Sequence, residues 1–271
     1  MNAMQSSQFL KTEDHQVSKE YLDKGFFIGP AANKEALEWI RKAFEAIVKK
    51  ELGVSKNIDM IDILNLTHEK IDVTALNDFR LSMISKVNAL PGFRQKYYEI
   101  AEPYLDILVG NELAMQSKVN LSIQLPNDDS SLLPVHADTW SGDSPFEVVV
   151  WVPLVDCYKT KSMFILPPNE SIELSKNFTE LAGKNTEDLF KSIEKKINWI
   201  EINYGDVLLF NQSLPHGNRV NMEHETRWTM NCRFKGLFTP YKDKKIGEFF
   251  EPITLRAASI SGLNYKYPEL K

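Results

Sequence analysis

Phe146-Glu-Val-Val-Val-Trp-Val-Pro-Leu154 is apolar at alternate and intervening positions alike. A β-branched run of this kind predicts a strand buried on both faces, between a sheet partner layer and covering helices. Four further segments read as β-rich and are bounded by Pro, Gly, Asn or Asp: Ala114 to Leu125, Ser162 to Leu166, Val207 to Phe210, and Thr226 to Phe238. Two packed sheets account for them best. The expected fold is mainly β with flanking helices, built on a double-stranded β-helix (a jelly roll, cupin-like) core.

Before this region the pattern is helical. The first twenty residues read as a loosely held tail, and Tyr21 to Ile28 leads into a helix capped by Asn33. Leu37, Ile40, Phe44, Ile47 and Val48 recur at helical spacing, and Gly53 follows Leu52 where a C-terminal glycine is expected. A second helix is expected over Pro91 to Val109, from Tyr97, Ile100, Ala101, Tyr104 and Leu108. Between the strands, Pro167 to Lys196 carries two short amphipathic pieces, one ending near Gly183 and one starting near Asn185. A lid and an inert surface insertion are both open for it. The organisation expected is a single domain over residues 1–271, with a mainly helical N-terminal region (1–110), a jelly-roll core (111–240) and a C-terminal extension (241–271).

Length and composition agree with one sizeable core. The chain has 271 residues, 43% hydrophobic and 25% charged, outside the disordered, collagen-like and disulfide-rich classes. With 32 basic against 37 acidic residues the net charge is −5, so no global basic field favours nucleic acid or an anionic membrane surface. The most apolar run, Val148 to Val155, falls far short of the roughly 20 residues that span a bilayer. Cys157 and Cys232 are the two cysteines, and the opening MNAMQSSQFLKTEDHQ is polar, which makes a reducing cytoplasm the expected setting.

The chemistry-bearing residues fall in three places. In Val135-His136-Ala137-Asp138, an imidazole and a carboxylate two residues apart would converge on one face of a strand. Alone, the triplet is equally a hydrogen-bonded His and Asp in a turn. His216 stands in Gly205-Asp-Val-Leu-Leu-Phe210-Asn-Gln-Ser-Leu-Pro215-His216-Gly217-Asn218, after a turn and a short apolar strand. Two histidines and one carboxylate on neighbouring strands form the facial triad of non-haem iron(II) sites, which leaves three coordination positions open. Third, Thr226-Arg-Trp-Thr-Met-Asn-Cys-Arg-Phe234 alternates cleanly, with Arg227, Thr229, Asn231 and Arg233 on one face. That face either meets water or lines a barrel, where Arg227 would hold a carboxylate through two parallel hydrogen bonds with Thr229 donating one more.

The ordered set YLDKGFFI, QLP, VHAD, GDVLLFNQSLPHGN, Asn221 and TRWT resembles the iron(II)/2-oxoglutarate-dependent oxygenases, in their phytanoyl-CoA dioxygenase-like branch. The resemblance implies that His136, Asp138 and His216 are the iron ligands and catalytic centre, and that Arg227 binds the distal carboxylate of 2-oxoglutarate. Thr229 matches the family's hydroxyl two residues on. Gln124 falls where relatives place a polar or basic cosubstrate contact, and a surface strand residue is the other reading. With a carboxylate at Asp138, where halogenating relatives have a small residue, the implied reaction is hydroxylation or a related oxidation. It consumes dioxygen and converts 2-oxoglutarate to succinate and carbon dioxide.

The stretch HADTWSGDSPFEVVVWVPL further resembles a bacterial subgroup found in carbohydrate-biosynthesis gene clusters, so a sugar or other secondary-metabolite precursor is among the small-molecule substrates to expect. Trp140 and the loop through Ser144 are candidate substrate contacts, or else an aromatic packed under a loop. His15, His68 and His224 are read as tail, helix and solvated-turn residues. Loops around Asn57 to Phe79, Thr139 to Pro145 and Pro167 to Lys196 are expected to set substrate choice. Two rival readings share the fold: a cupin-type metal enzyme without 2-oxoglutarate, which calls for a third histidine that the sequence does not place, and a non-catalytic carbohydrate-binding jelly roll using Arg227 and Arg233.

Overall fold

The computed structural model describes residues 9–54, 60–177 and 185–269. Its larger sheet contains β1 (Phe26–Pro30), β2 (Leu113–Gln116), β3 (Asn120–Gln124), β4 (Glu147–Pro153), β7 (Asp206–Asn211), β9 (Arg227–Gly236) and β10 (Phe250–Pro252). The order is β1-β7-β4-β9-β2-β10, with β3 also paired to β9, and each pairing is antiparallel. Facing it, β5 (Phe164–Ile165), β6 (Asn198–Trp199) and β8 (His216–Gly217) form a smaller sheet in the order β6-β5-β8. The expected two-sheet jelly roll is the fold observed.

β4 is buried along its whole length, as its composition predicts. Val148, Val150 and Val152 face the helical layer, while Val149 and Trp151 face the space between the sheets. β7 divides in the same way, with Val207 and Leu209 on the helical side and Leu208 and Phe210 on the inner side. On β9 the helical side is Trp228, Met230, Cys232 and Phe234, all fully buried. The β-rich segment Ala114 to Leu125 forms two strands, β2 and β3. Between them Asn88 holds Val119 at both its N–H and its carbonyl, each at 2.9 Å.

The helices on the outer face are α1 (Thr12–Lys24), α2 (Lys34–Glu51), α3 (Met60–Asn65), α4 (Val73–Asn88), α5 (Phe93–Glu99) and α6 (Glu102–Leu108). In α2 the Asn33 side chain accepts from the Ala36 N–H at 2.9 Å, and Leu37, Ile40, Phe44 and Val48 are buried, as the spacing predicts. Three expectations need correction. The N-terminal tail is helical from Thr12: Lys24 pairs with Glu20, Lys19 with Asp23, and Gly25 ends the helix in the left-handed region. That conformation, with φ at 84°, favours glycine. Tyr21 to Ile28 accordingly spans the end of α1 and most of β1.

The helix over Pro91 to Val109 is two, because Pro103 in the first turn of α6 lacks the N–H that would continue α5. Finally, the supposed loop Asn57 to Phe79 is largely α3, a 3-10 turn at Thr67–Glu69, and α4; Asn57 itself lies outside the described residues. α4 starts at Asp72, whose side chain accepts from the Thr74 N–H at 2.9 Å, and it buries Leu76, Phe79, Met83 and Val87.

The insertion carries α7 (Pro168–Lys176) and α8 (Thr186–Ile193), the second capped by Asn185 as predicted. The piece expected to end near Gly183 lies partly outside the described residues. Leu174, Phe190 and Ile193 pack with Val135, Phe164 and Leu166, which anchors the insertion to the smaller sheet. After β10 the chain ends in α9 (Ala257–Leu263). Cys157 and Cys232 are free thiols, and burial pushes each up to about 12. Among the described residues no helix is long and apolar enough to cross a membrane.

Phe44 on α2 is fully buried against Phe93 of α5, with ring centroids 6.3 Å apart. Phe44→Ala is expected to cost about 3–5 kcal/mol of folding free energy, read from the midpoint and slope of urea unfolding.

Candidate metal centre

Two chain segments eighty residues apart in sequence meet through their backbones. The His136 N–H donates to the His216 carbonyl at 3.0 Å, and the His216 N–H donates to the His136 carbonyl at 2.8 Å. This antiparallel bridge brings the imidazoles together, with centroids 4.3 Å apart. Contrary to what the two-residue spacing suggests, Asp138 does not share a strand with His136. It begins a 3-10 turn, Asp138–Ser141, and its N–H is held by the Gln212 carbonyl at 3.0 Å. The side chains converge all the same: Asp138 Oδ1 stands 3.4 Å from His136 Nε2 and 3.9 Å from His216 Nε2. The three potential ligand atoms lie within 4.8 Å of one another.

Each histidine is oriented by the chain just before it. His136 Nδ1 lies 2.8 Å from the Pro134 carbonyl, and His216 Nδ1 lies 2.9 Å from that of Leu214. A carbonyl only accepts, so Nδ1 of each ring carries a proton, and Nε2 is the ring nitrogen turned toward Asp138. Burial, with the neighbouring His136, brings the His216 pKa down to about 4, which keeps that imidazole neutral. Two imidazoles and a carboxylate converging on one point form a donor set suited to a divalent transition metal ion.

The second carboxylate oxygen of Asp138 faces away and is held by Arg233, at 2.7 Å from Nη2 and 3.2 Å from Nε. Burial opposes ionisation of Asp138, but its contacts with His136 and Arg233 outweigh burial and hold the carboxyl below its usual range. Arg233 Nε also donates to Gln212 Oε1 at 2.8 Å, and Gln212 Nε2 donates to Glu147 Oε2 at 2.7 Å. Glu147 Oε1 accepts from the Ser144 N–H at 3.1 Å. Sequence reasoning places Arg233 on the right face of β9 but misses the chain through Gln212 to Glu147. A lone carboxylate inside FEVVVWVPL is the available signal, since a charge buried in an apolar strand needs a partner.

His136, Asp138 and His216 line a cavity of about 410 Å³ that also reaches Ser122, Arg227, Asn231 and Arg233, with Val149, Trp151, Met163 and Phe210 as apolar wall. The polar face of β9 therefore lines a barrel interior. Arg227 is 3% exposed and donates to the Ser162 carbonyl at 2.8 Å and to Ser122 Oγ at 3.0 Å, while its Nε is buried without a partner. Burial lowers its pKa to about 10, and it remains a cation at neutral pH. Thr229 is fully buried with an unpartnered Oγ1 and lies outside the cavity wall. Gln124, opposite Arg227 in the β3–β9 register, also lies outside it and donates to the Arg219 carbonyl at 2.6 Å. Trp140 sits on the 3-10 turn after Asp138, 42% exposed, and does not line the cavity.

Removing Arg233 would leave a buried, unpaired carboxylate beside two imidazoles. Arg233→Met is expected to destabilise the metal-free protein by about 3 kcal/mol in urea unfolding. Saturating cobalt(II) should restore a large part of that loss by supplying the missing positive charge; a variant as stable as the parent without metal would show that the pair contributes nothing.

The sequence matches no protein-family model and no curated protein. Solved structures do match in fold. A nickel complex of the non-heme monooxygenase ThoJ superposes with a TM-score of 0.57 at 13% identity, covering 90% of this chain and 85% of that one. HygX from Streptomyces hygroscopicus, with nickel and 2-oxoglutarate bound, gives 0.51 at 15% identity over 86% of this chain and 89% of its own. EctD from S. alaskensis with bound iron gives 0.52 at 12% identity, over 86% and 79%. The jelly roll described here is thus similar, over most of its length, to the fold on which these non-heme metal proteins are built.

Proposed function

We propose that this chain is an iron(II)- and 2-oxoglutarate-dependent oxygenase acting on a small molecule, and that residues 1–271 form one such domain. The observation that carries the reading is the placement of two unlike binding features in one cavity: the His136, Asp138 and His216 cluster, and the buried Arg227 guanidinium. Nickel and 2-oxoglutarate bound in HygX, and iron bound in EctD, support the same assignment on similar folds.

In this proposal His136 Nε2, His216 Nε2 and Asp138 Oδ1 hold the iron, and the backbone carbonyls of Pro134 and Leu214 keep both imidazoles in the metal-binding tautomer. Arg227 holds the distal carboxylate of 2-oxoglutarate, its free Nε supplying a donor that no protein atom uses. Thr229 and Gln124 belong to the cosubstrate side by resemblance, and Trp140 to the substrate side. Iron bound there with 2-oxoglutarate would supply the activation of dioxygen, with one oxygen atom accounted for in succinate, released along with carbon dioxide, and the other in the hydroxylated substrate. The chain's own role is to orient both reactants and keep the cavity wall dry through Val149, Trp151, Met163 and Phe210. A reducing cytoplasm is the setting that suits the ferrous ion and the two free thiols.

The carbohydrate-binding alternative relies on Arg233 as a second anchor, and Arg233 is engaged by Asp138. The cupin alternative calls for a third histidine, and among the described residues none joins the cluster.

Anaerobic addition of iron(II) and 2-oxoglutarate should produce a weak visible absorption band, and admitting air should yield succinate. Arg227→Ala is expected to raise the 2-oxoglutarate concentration needed for the band by about 100-fold, the loss of two charge-assisted hydrogen bonds. His136→Ala should abolish both band and succinate. A protein that binds neither iron nor 2-oxoglutarate would refute the assignment.

A further inference from the structure

The charged side chains on the cavity wall are Asp138, Arg233, Arg227 and Arg80, besides the histidines. Arg233 is matched by Asp138 at 2.7 Å, with the Asp143 and Glu147 carboxylates behind it at 3.8 and 4.0 Å, so it offers no free positive charge to the cavity. A metal dication and the 2-oxoglutarate dianion, if bound as proposed above, cancel one another. Arg227 and Arg80 then remain, two positive charges facing a space with low-dielectric walls, where an unmatched charge is felt strongly.

Arg80 sits on α4, the helix that packs across β3, and is half-buried. Its one hydrogen bond is to a neutral group, Nη2 donating to Asn77 Oδ1 at 2.7 Å, and among the described residues it makes no ion pair. Two amide side chains line the same cavity. Asn231 Oδ1 already accepts from Asn120 at 3.3 Å, and Asn218 Oδ1 already accepts from the Leu133 N–H at 2.6 Å. Each amide oxygen has one lone pair engaged within the protein and Asn218 Nδ2 also donates to the Ser131 carbonyl at 3.3 Å, whereas the N–H groups that Arg80 does not give to Asn77 are left for the cavity. A neutral polyol needs donors and acceptors in equal measure, whereas an anionic oxygen group needs donors alone.

From this we propose that the substrate is an anion whose carboxylate or phosphate group is held by Arg80. The inference rests on the oxygenase reading, and it deepens that reading by naming the substrate class. Arg80 is a specificity-determining residue in it, distinct from Arg227, which is buried at the start of β9 and serves the cosubstrate.

The test uses full-length protein loaded with nickel(II), a redox-inert stand-in, and with 2-oxoglutarate, so that the metal site and Arg227 are both engaged. Uptake of each is measured first by calorimetry. Benzoate, phenyl phosphate and the neutral benzamide are then titrated into the parent, Arg80→Gln and Arg80→Lys. The parent should bind at least one of the two anions about tenfold more tightly than benzamide, and the stronger anion tells carboxylate from phosphate. Arg80→Gln should abolish that preference, Arg80→Lys should keep some of it, and 2-oxoglutarate affinity should stay unchanged in both. The proposal is overturned by a parent that binds none of the probes or shows no preference, by a preference that survives in Arg80→Gln, or by weakened 2-oxoglutarate binding in that variant, which would move Arg80 to the cosubstrate. Failure of nickel or 2-oxoglutarate uptake by the parent counts against the oxygenase reading only; the same titrations on metal-free Arg227→Gln, with and without Arg80→Gln, then decide the role of Arg80.

Discussion

β9 must satisfy two incompatible surroundings at once, and the rest of the molecule is arranged around that demand. One face, Trp228 to Phe234 at alternate positions, is sealed under the helices; the other carries Arg227, Asn231 and Arg233 into a cavity. A half-polar strand at the centre of a sheet is stable only if its apolar side is fully covered and each buried charge on the other side is matched. The covering is supplied by α3 and α4 with the turn between them: Trp228 Nε1 donates to Thr67 Oγ1 at 3.1 Å, and its ring meets Phe79 edge-on at 5.8 Å. The Thr226 N–H donates to the Asn65 carbonyl at 2.7 Å, so the helical layer fixes the point at which β9 begins.

The matching of charge is done from neighbouring strands of the same sheet. Glu147 opens β4 and reaches Arg233 through Gln212, which follows β7, so that three neighbouring segments of the larger sheet are joined by one hydrogen-bonded chain that ends on Asp138. Burial raises the Glu147 carboxyl while Gln212 and the Ser144 N–H oppose that rise. Such a network fixes the rotamer of Asp138, because one of its oxygens is occupied and only the other is left for the histidines. The imidazoles are fixed separately, each by a carbonyl two residues back along its own backbone. Orientation at the cluster is therefore a property of the folded chain before anything binds.

How much of this is legible in the sequence depends on the range of the signal. β4, β7 and β9 declare themselves through β-branched content and alternation, and α2 through its cap and apolar stripe, because these cues act within a few residues. α4 reads as a loop, although Asp72 caps it and Leu76, Phe79, Met83 and Val87 line one side. Its other positions carry few charges, so the contrast between its faces is weak. α1 escapes a reading by periodicity because it buries Val17 alone and is held by exposed ion pairs. The pairing of His136 with His216 is a contact between distant segments, and the residue types at each suggest it where no local period could. The partners of Arg233 are of the same distant kind, but Gln212 and Glu147 carry no pattern that joins them.

The two cysteines bear on how the protein can be handled. A thiol reacts through its thiolate, and with pKa values near 12 in closed surroundings neither Cys157 nor Cys232 presents one at neutral pH. The folded chain should thus be silent toward maleimides and other alkylating reagents without any residue being replaced. A single cysteine introduced on the exposed side of α8 would then carry a fluorophore or spin label against no background, and the native cysteines would report, by becoming reactive, only when the sheet itself opens.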